Sequence, residues 1–149
     1  MEIKAITRHD EHLWKCVADY AERCSWRDTG KYLAKRMTIN DFLDWERVFV
    51  ALDNDIIAGF SALSETSSLT DAEYSPYLGF IFVEEAYRGN RISEKLCKSV
   101  IDYAKAIGFD KIYLYSDLKN FYEKYGFVKI DEKIAPWGIK QTIYMYVVK

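Results

Sequence analysis

The sequence predicts a mixed α/β fold, in which strand–helix–strand units and hairpins share one sheet. Three observations carry that expectation. Apolar residues recur at helical spacing in two stretches, from Asp10 to Cys24 and from Ile92 to Ile107. Two strand-like segments, RVFVAL and IIAGFSAL, flank the turn signal Asp53-Asn54-Asp55 as the arms of a hairpin do. Between hairpin and second helix lies LGFIFV, a continuous apolar run of strand length that suits a strand buried on both faces.

Taken in order, EIKAI is a short opening strand. Leu13, Trp14, Val17, Ala18 and Ala21 then form one face of a helix. Gly30 interrupts, and a second, looser helical stretch runs from Lys31 to Trp45. The hairpin and LGFIFV follow. Behind the loop YRGNRIS, the residues Ile92, Leu96, Val100, Tyr103, Ala104 and Ile107 make an apolar stripe, and Gly108 stops that helix. KIYLYS reads as a strand and KNFYEKYG as a short helix ended by Gly126. FVKID and QTIYMYVV are two last strands around the turn Pro136-Trp137-Gly138. The predicted order is β, α, α, β, β, β, α, β, α, β, β.

Composition narrows the function. A length of 149 residues suits one domain, 1–149. Half of the residues are apolar and 16% aromatic, enough for a packed core. The net charge is −2 without a basic block, so no nucleic-acid partner is expected. MEIKAITRHD has no apolar signal core, and no apolar run is long enough for a bilayer, so no membrane partner is expected. Cys16, Cys24 and Cys97 include no CxxC pair, which offers neither a zinc site nor a disulfide framework and suits a reduced cytoplasm. His9 and His12 fit an exposed helix start rather than a metal site, and no metal is expected.

The loop before the second long helix is the most specific local signal. Arg88-Gly89-Asn90-Arg91 leads into a helix starting near Ile92 or Ser93, where unpaired backbone N–H groups meet the positive end of the helix dipole. Gly89 permits close backbone approach, Asn90 tolerates left-handed geometry, and Ser93 suits a cap or a close ligand. Two arginines add charge and bidentate donors. A phosphate-bearing ligand satisfies all of these features. A plain nucleotide site is disfavoured, because YRGNRIS carries neither GxxxxGK[ST] nor GxGxxG.

The stretch LGFIFVEEAYRGNRISEKLCKSVIDYAKAIGFDKIYLYSDLKNFYEKYGF resembles the core of the GNAT superfamily of N-acetyltransferases. Both an FV-x-x-x-YRG-like strand end and a later FYEKYGF-like segment are present, in order and at family-like spacing. The resemblance implies the acyl-CoA N-acyltransferase fold, with a mixed, mostly antiparallel sheet flanked by helices. It implies acetyl-CoA as cosubstrate and direct acetyl transfer to a primary amine in a ternary complex. The anion at Arg88, Gly89, Asn90, Arg91, Ile92 and Ser93 is then the pyrophosphate of coenzyme A. By position, Phe82 and Val83 pair with its pantetheine arm, and Tyr122 donates a proton to the departing thiolate. The loop departs from the family's [QR]-x-x-G-x-[GA] form, since Arg91 replaces the middle glycine and Ser93 the last small residue.

Acidic loop residues supply candidates for a base, namely Glu84, Glu85, Glu65 and Glu73, with Glu84 taken forward. Proton loss to water needs none of them. Cys97 belongs beside the apolar stripe, as core rather than nucleophile. Trp26, Arg27, Tyr32 and Trp137 are the candidate acceptor-binding residues, with Asp28 setting polarity. The acceptor is expected to be a small-molecule or peptide amine, and a homodimer stays open. The rival expectation is a catalytically idle GNAT-fold module that senses acyl-CoA.

Overall fold

The computed structural model describes residues 1–65 and 73–148. The first half of the chain runs β1 (Glu2–Ile6), α1 (Glu11–Arg23), α2 (Arg27–Thr38), β2 (Arg47–Asp53), β3 (Ile56–Ser64) and β4 (Tyr77–Val83). The second half runs α3 (Ile92–Ala106), β5 (Lys111–Ser116), β6 (Val128–Ile134) and β7 (Lys140–Val147). Single 3₁₀ turns at Glu85–Tyr87 and Glu123–Tyr125 precede α3 and β6.

The strands form one seven-stranded sheet in the order β1-β2-β3-β4-β5-β7-β6. Every neighbouring pair is antiparallel except β4 and β5. Helices cover both faces. On one side Val17 and Ala21 of α1 and Leu33 and Met37 of α2 bury against Val48, Val50 and Phe60 of the sheet. On the other, Leu96, Cys97 and Val100 of α3 bury against Phe49, Leu63 and Leu114.

Two helix expectations need correction. The second helix spans Arg27–Thr38, not Lys31 to Trp45, and Gly30 lies inside it rather than interrupting it. A Cβ at Gly30 would stand 2.4 Å from the Ala21 carbonyl oxygen and 2.6 Å from Cys24 Sγ. The glycine therefore lets α1 and α2 touch, and close packing outweighs its poor helix propensity. The end of α2 is tied down by Arg36, which lies 3.5 Å from the buried carboxylate of Glu46 and donates to Ser64 Oγ at 3.2 Å. The second correction falls on KNFYEKYG, which makes only the 3₁₀ turn. Asn120 takes a φ of 59° and Gly126 a φ of 98°, so left-handed residues bound the segment and leave room for one turn.

The contact between β4 and β5 is the feature that matters for function. Only Tyr77 and Tyr113 pair, near the start of both strands, and beyond them the strands part. Around the same place β4 carries a bulge, where Ser61 of β3 faces two residues of β4, Phe80 and Ile81, between the pairs Phe60–Phe82 and Ala62–Gly79. Phe80 in the bulge has a φ of 54°, which is strained for a bulky residue. Gly79, Phe80 and Ile81 are consequently half-buried, although the continuous apolar run predicts burial on both faces. The sheet is open there by construction.

Candidate active site

Two clefts meet at the parting of β4 and β5. The wider, of 980 Å³, lies between the start of α2, the β4 bulge, the end of β5 and the β6–β7 turn. The narrower, of 510 Å³, runs along the end of β4 to the loop before α3. Trp26, Ile81, Leu118 and Tyr122 line both, so the two form one groove through the sheet.

The narrower cleft collects most of the predicted anion loop. Phe82, Val83, Arg88, Gly89, Arg91, Ile92 and Ser93 all line it. Asn90 does not; its side-chain amide donates to the Tyr87 carbonyl at 2.9 Å and so shapes the loop. Arg88 Nε donates to the Val83 carbonyl at 3.0 Å, and its guanidinium lies 5.9 Å from the Phe82 ring centroid. Tyr87 donates to Asp53 at 2.9 Å, fixing the loop to the β2–β3 hairpin, and that bond raises its phenol pKa.

At the mouth of α3 the residue preceding the helix is Arg91, held at φ 59° and ψ 28°. That is the left-handed well in which an L-residue pays and glycine does not. The helix carries no side-chain cap, since a guanidinium has no acceptor to offer, and the Ser93 hydroxyl within the first turn pairs with the Tyr125 hydroxyl at 3.2 Å. The N–H groups of the first turn therefore point outward beside two exposed arginines. Around Gly89, with a φ of 87°, a Cβ would meet nothing within 4 Å. Backbone amides, positive charge and open space together suit a diphosphate.

Tyr122 sits where the two clefts join and is 8% exposed. Burial raises its phenol pKa, with smaller contributions from Cys97, Tyr125 and Tyr144. The phenol therefore keeps its proton at neutral pH. Burial also pushes the Cys97 thiol up to about 12, in keeping with its place in the core under α3. Glu84 lines neither cleft. One of its oxygens accepts from the Tyr20 hydroxyl and the other from the Glu85 N–H, both at 2.9 Å. Glu73 is paired with Lys133 at 2.8 Å.

All four predicted acceptor residues, Trp26, Arg27, Tyr32 and Trp137, line the wider cleft. Sequence reasoning missed Tyr77, Tyr115, Asp117 and Gln141, which line it too. Tyr115 and Asp117 stand at the end of KIYLYS, the strand that leaves β4. Their signal was position alone, and only the partial pairing of β4 and β5 turns it into a site.

The model of the Acetyltransferase (GNAT) family matches residues 10–127, most of the chain. The chain belongs to the GNAT acetyltransferase family. Among GNAT relatives, the Probable N-acetyltransferase camello of Xenopus tropicalis is 32% identical over 120 residues. That match covers 73% of this chain and 55% of the relative, so the chain spans about half the relative's length. The aminoglycoside 6'-N-acetyltransferase from Enterococcus faecium superposes with a TM-score of 0.78 at 17% identity, over 100% of this chain and 98% of its own. An aminoglycoside 6'-N-acetyltransferase complexed with coenzyme A superposes with a TM-score of 0.75 at 18% identity, over the same shares. At such identities the likeness speaks for the GNAT fold, and the mostly antiparallel sheet flanked by helices is that fold. Among the described residues no helix is long and apolar enough to cross a membrane, and no group of His, Cys, Asp and Glu is arranged to hold a metal ion.

Proposed function

We propose that the chain is an N-acetyltransferase that moves an acetyl group from acetyl-CoA to a primary amine by direct attack. The observation that carries this reading is the continuity of the groove. One end offers backbone amides and two arginines, the junction holds a buried phenol, and the other end is an aromatic cleft. Acetyl-CoA supplies the activated acetyl group as a thioester. Arg88, Gly89, Arg91 and the first turn of α3 would hold its diphosphate. Phe82 and Val83, beside the β4 bulge, would meet its extended arm with backbone groups. Tyr122 holds the proton that the departing sulfur needs, and releases it there. The amine gives up its own proton to solvent, since both Glu84 oxygens are engaged elsewhere. No step calls for Cys97 as an acetyl carrier.

The test is free-thiol release from acetyl-CoA, with and without amines, beside thermal melting. At about 100 times its dissociation constant, acetyl-CoA should add roughly 2.7 kcal/mol of stability, and ATP at equal concentration much less. Thiol release that depends on an amine supports the enzyme. A melting shift with no release for any amine would make the chain an acyl-CoA sensor instead. A shift with ATP alone would end both readings.

A further inference from the structure

The acceptor end of the groove is built for more than holding an amine. Trp26, Tyr32 and Trp137 line it while remaining 40%, 48% and 49% exposed. Each has a ring against it. Trp26 lies 6.4 Å from Phe82 and Tyr32 5.8 Å from Phe80, at interplanar angles of 18° and 19°. Trp137 lies 6.2 Å from Tyr115 on the far side of the parted strands. The rings are thus held in place by neighbours, with the rest of their surface open. Large aromatic surface left in water around a concave site is surface reserved for a ligand.

Charge in the same cleft is sparse. Among the described lining residues the charged ones are Arg27, Asp28 and Asp117, and none of them forms an ion pair among the described residues. Two carboxylates against one guanidinium leave one negative charge in surplus. A polyamine or an aminosugar brings several ammonium groups, and desolvating them requires a carboxylate for each. A monoamine requires one. Aromatic faces add attraction for a single ammonium and stack well on a flat ring.

We infer that the acceptor is an arylalkylamine, one primary amine on a short alkyl stem that ends in a flat aromatic body. This inference rests on the acetyl-transfer reading above. The aromatic body stacks on the open surfaces of Tyr32 and Trp137, and the carboxylates of Asp28 and Asp117 favour the approach of the ammonium before it loses its proton and attacks.

The experiment is thiol release from acetyl-CoA by the full chain with tryptamine, phenethylamine, butylamine, spermidine, kanamycin and a lysine-containing peptide. Tryptamine and phenethylamine should exceed the other four in kcat/KM by about tenfold or more. Tyr32→Ala and Trp137→Ala should each raise KM for tryptamine by about tenfold, and Trp137→Phe should restore most of the loss. An acetyl-CoA melting shift matching wild type shows that the variants are folded and separates a lost wall from a lost fold. Preference for butylamine, spermidine, kanamycin or the peptide overturns the inference and leaves acetyl transfer standing. So does an unchanged KM for tryptamine in both folded alanine variants. Silence with every amine overturns the inference and the enzyme reading together.

Discussion

The Tyr20 hydroxyl donates to Glu84 Oε1 at 2.9 Å, joining α1 to the end of β4 across 64 positions of sequence. The other Glu84 oxygen caps the 3₁₀ turn that leads to the anion loop. One carboxylate thus ties three pieces together: α1, the end of the strand that borders the groove, and the approach to Arg88. Tyr20 also packs edge-on against Phe60, with ring centroids 6.1 Å apart, so its hydroxyl is held in place by its ring.

Tyr20→Phe should cost about 1 kcal/mol of stability and weaken acetyl-CoA binding a few-fold, because the loop loses an anchor while the ring still packs. Glu84→Ala should cost more, about 2 kcal/mol, since it leaves a buried hydroxyl unpaired and the turn uncapped. Calorimetric titration and thermal melting check both. If Glu84→Ala abolishes turnover while binding and melting stay at wild-type values, Glu84 acts in the chemistry and the assignment as an anchor fails.

Arg91 stands in a left-handed conformation that costs a non-glycine residue roughly 1–2 kcal/mol. Its ion pair with Glu94 at 3.3 Å is exposed and offsets little of this. Arg91→Gly should therefore raise the melting temperature of the free protein while lowering affinity for acetyl-CoA, as strain and charge leave together. Arg91→Glu should lower affinity further without relieving the strain. A melting temperature for Arg91→Gly below wild type would show that the arginine makes stabilising contacts that outweigh the strained angle.

Gly30→Ala tests how α1 and α2 are held. Helix propensity alone favours alanine by about 1 kcal/mol. Against that stands a Cβ 2.4 Å from a backbone oxygen of α1, which moves only if the helix moves. The clash should win, with a net loss of about 1–3 kcal/mol. Because Trp26 precedes α2 and Tyr32 lies on it, either side of Gly30, KM for the acceptor should also rise. Thermal melting and a KM measurement check the pair of effects. A more stable variant would mean the helices are free to separate.

The chain from LGFIFV onward was more legible than what precedes it. LGFIFV and KIYLYS are apolar runs of strand length, and the stripe from Ile92 joins one period to a stop at Gly108, so these elements were read to within a few residues. Reading Gly30 as a breaker failed because its role is tertiary: what matters is Ala21 and Cys24 across the helix interface. KNFYEKYG misled for a different reason. Its helix-forming residues are real, but the left-handed Asn120 and Gly126 leave them one turn. The bulge at Phe80 and the parting of β4 from β5 had no local signal at all, since a buried strand and a split one share the same apolar run. That is why the sequence drew attention to the loop from Arg88 to Ser93, whereas Tyr115 and Asp117 carried no comparable signal.

Tyr122 carries the chemical half of the functional reading, and its surroundings sharpen the test. Replacing Tyr122 by Phe removes one hydroxyl and keeps a ring that packs against Phe121, Phe127 and Tyr144. Stability and acetyl-CoA affinity should change little, because a thioester sulfur is a poor acceptor before the bond breaks. Turnover should fall by about 10²–10⁴-fold, the range expected for losing a positioned proton donor. The pH dependence follows from the direction of the shift. Burial raises the pKa of Tyr122 above the ordinary tyrosine value of about 10. The folded chain therefore keeps this proton more tightly than the unfolded chain does. The stabilisation that goes with it is fully present below pH about 10 and is lost as pH rises through the folded value. Wild-type turnover should rise with pH as the acceptor amine deprotonates, and should not fall through loss of the Tyr122 proton until above pH about 10. Stopped-flow thiol release across pH 6–10, with chemistry rate-limiting, would decide. If turnover of the Phe variant stays near wild type there, the sulfur leaves without this proton, and the role assigned to Tyr122 falls while the GNAT fold stands.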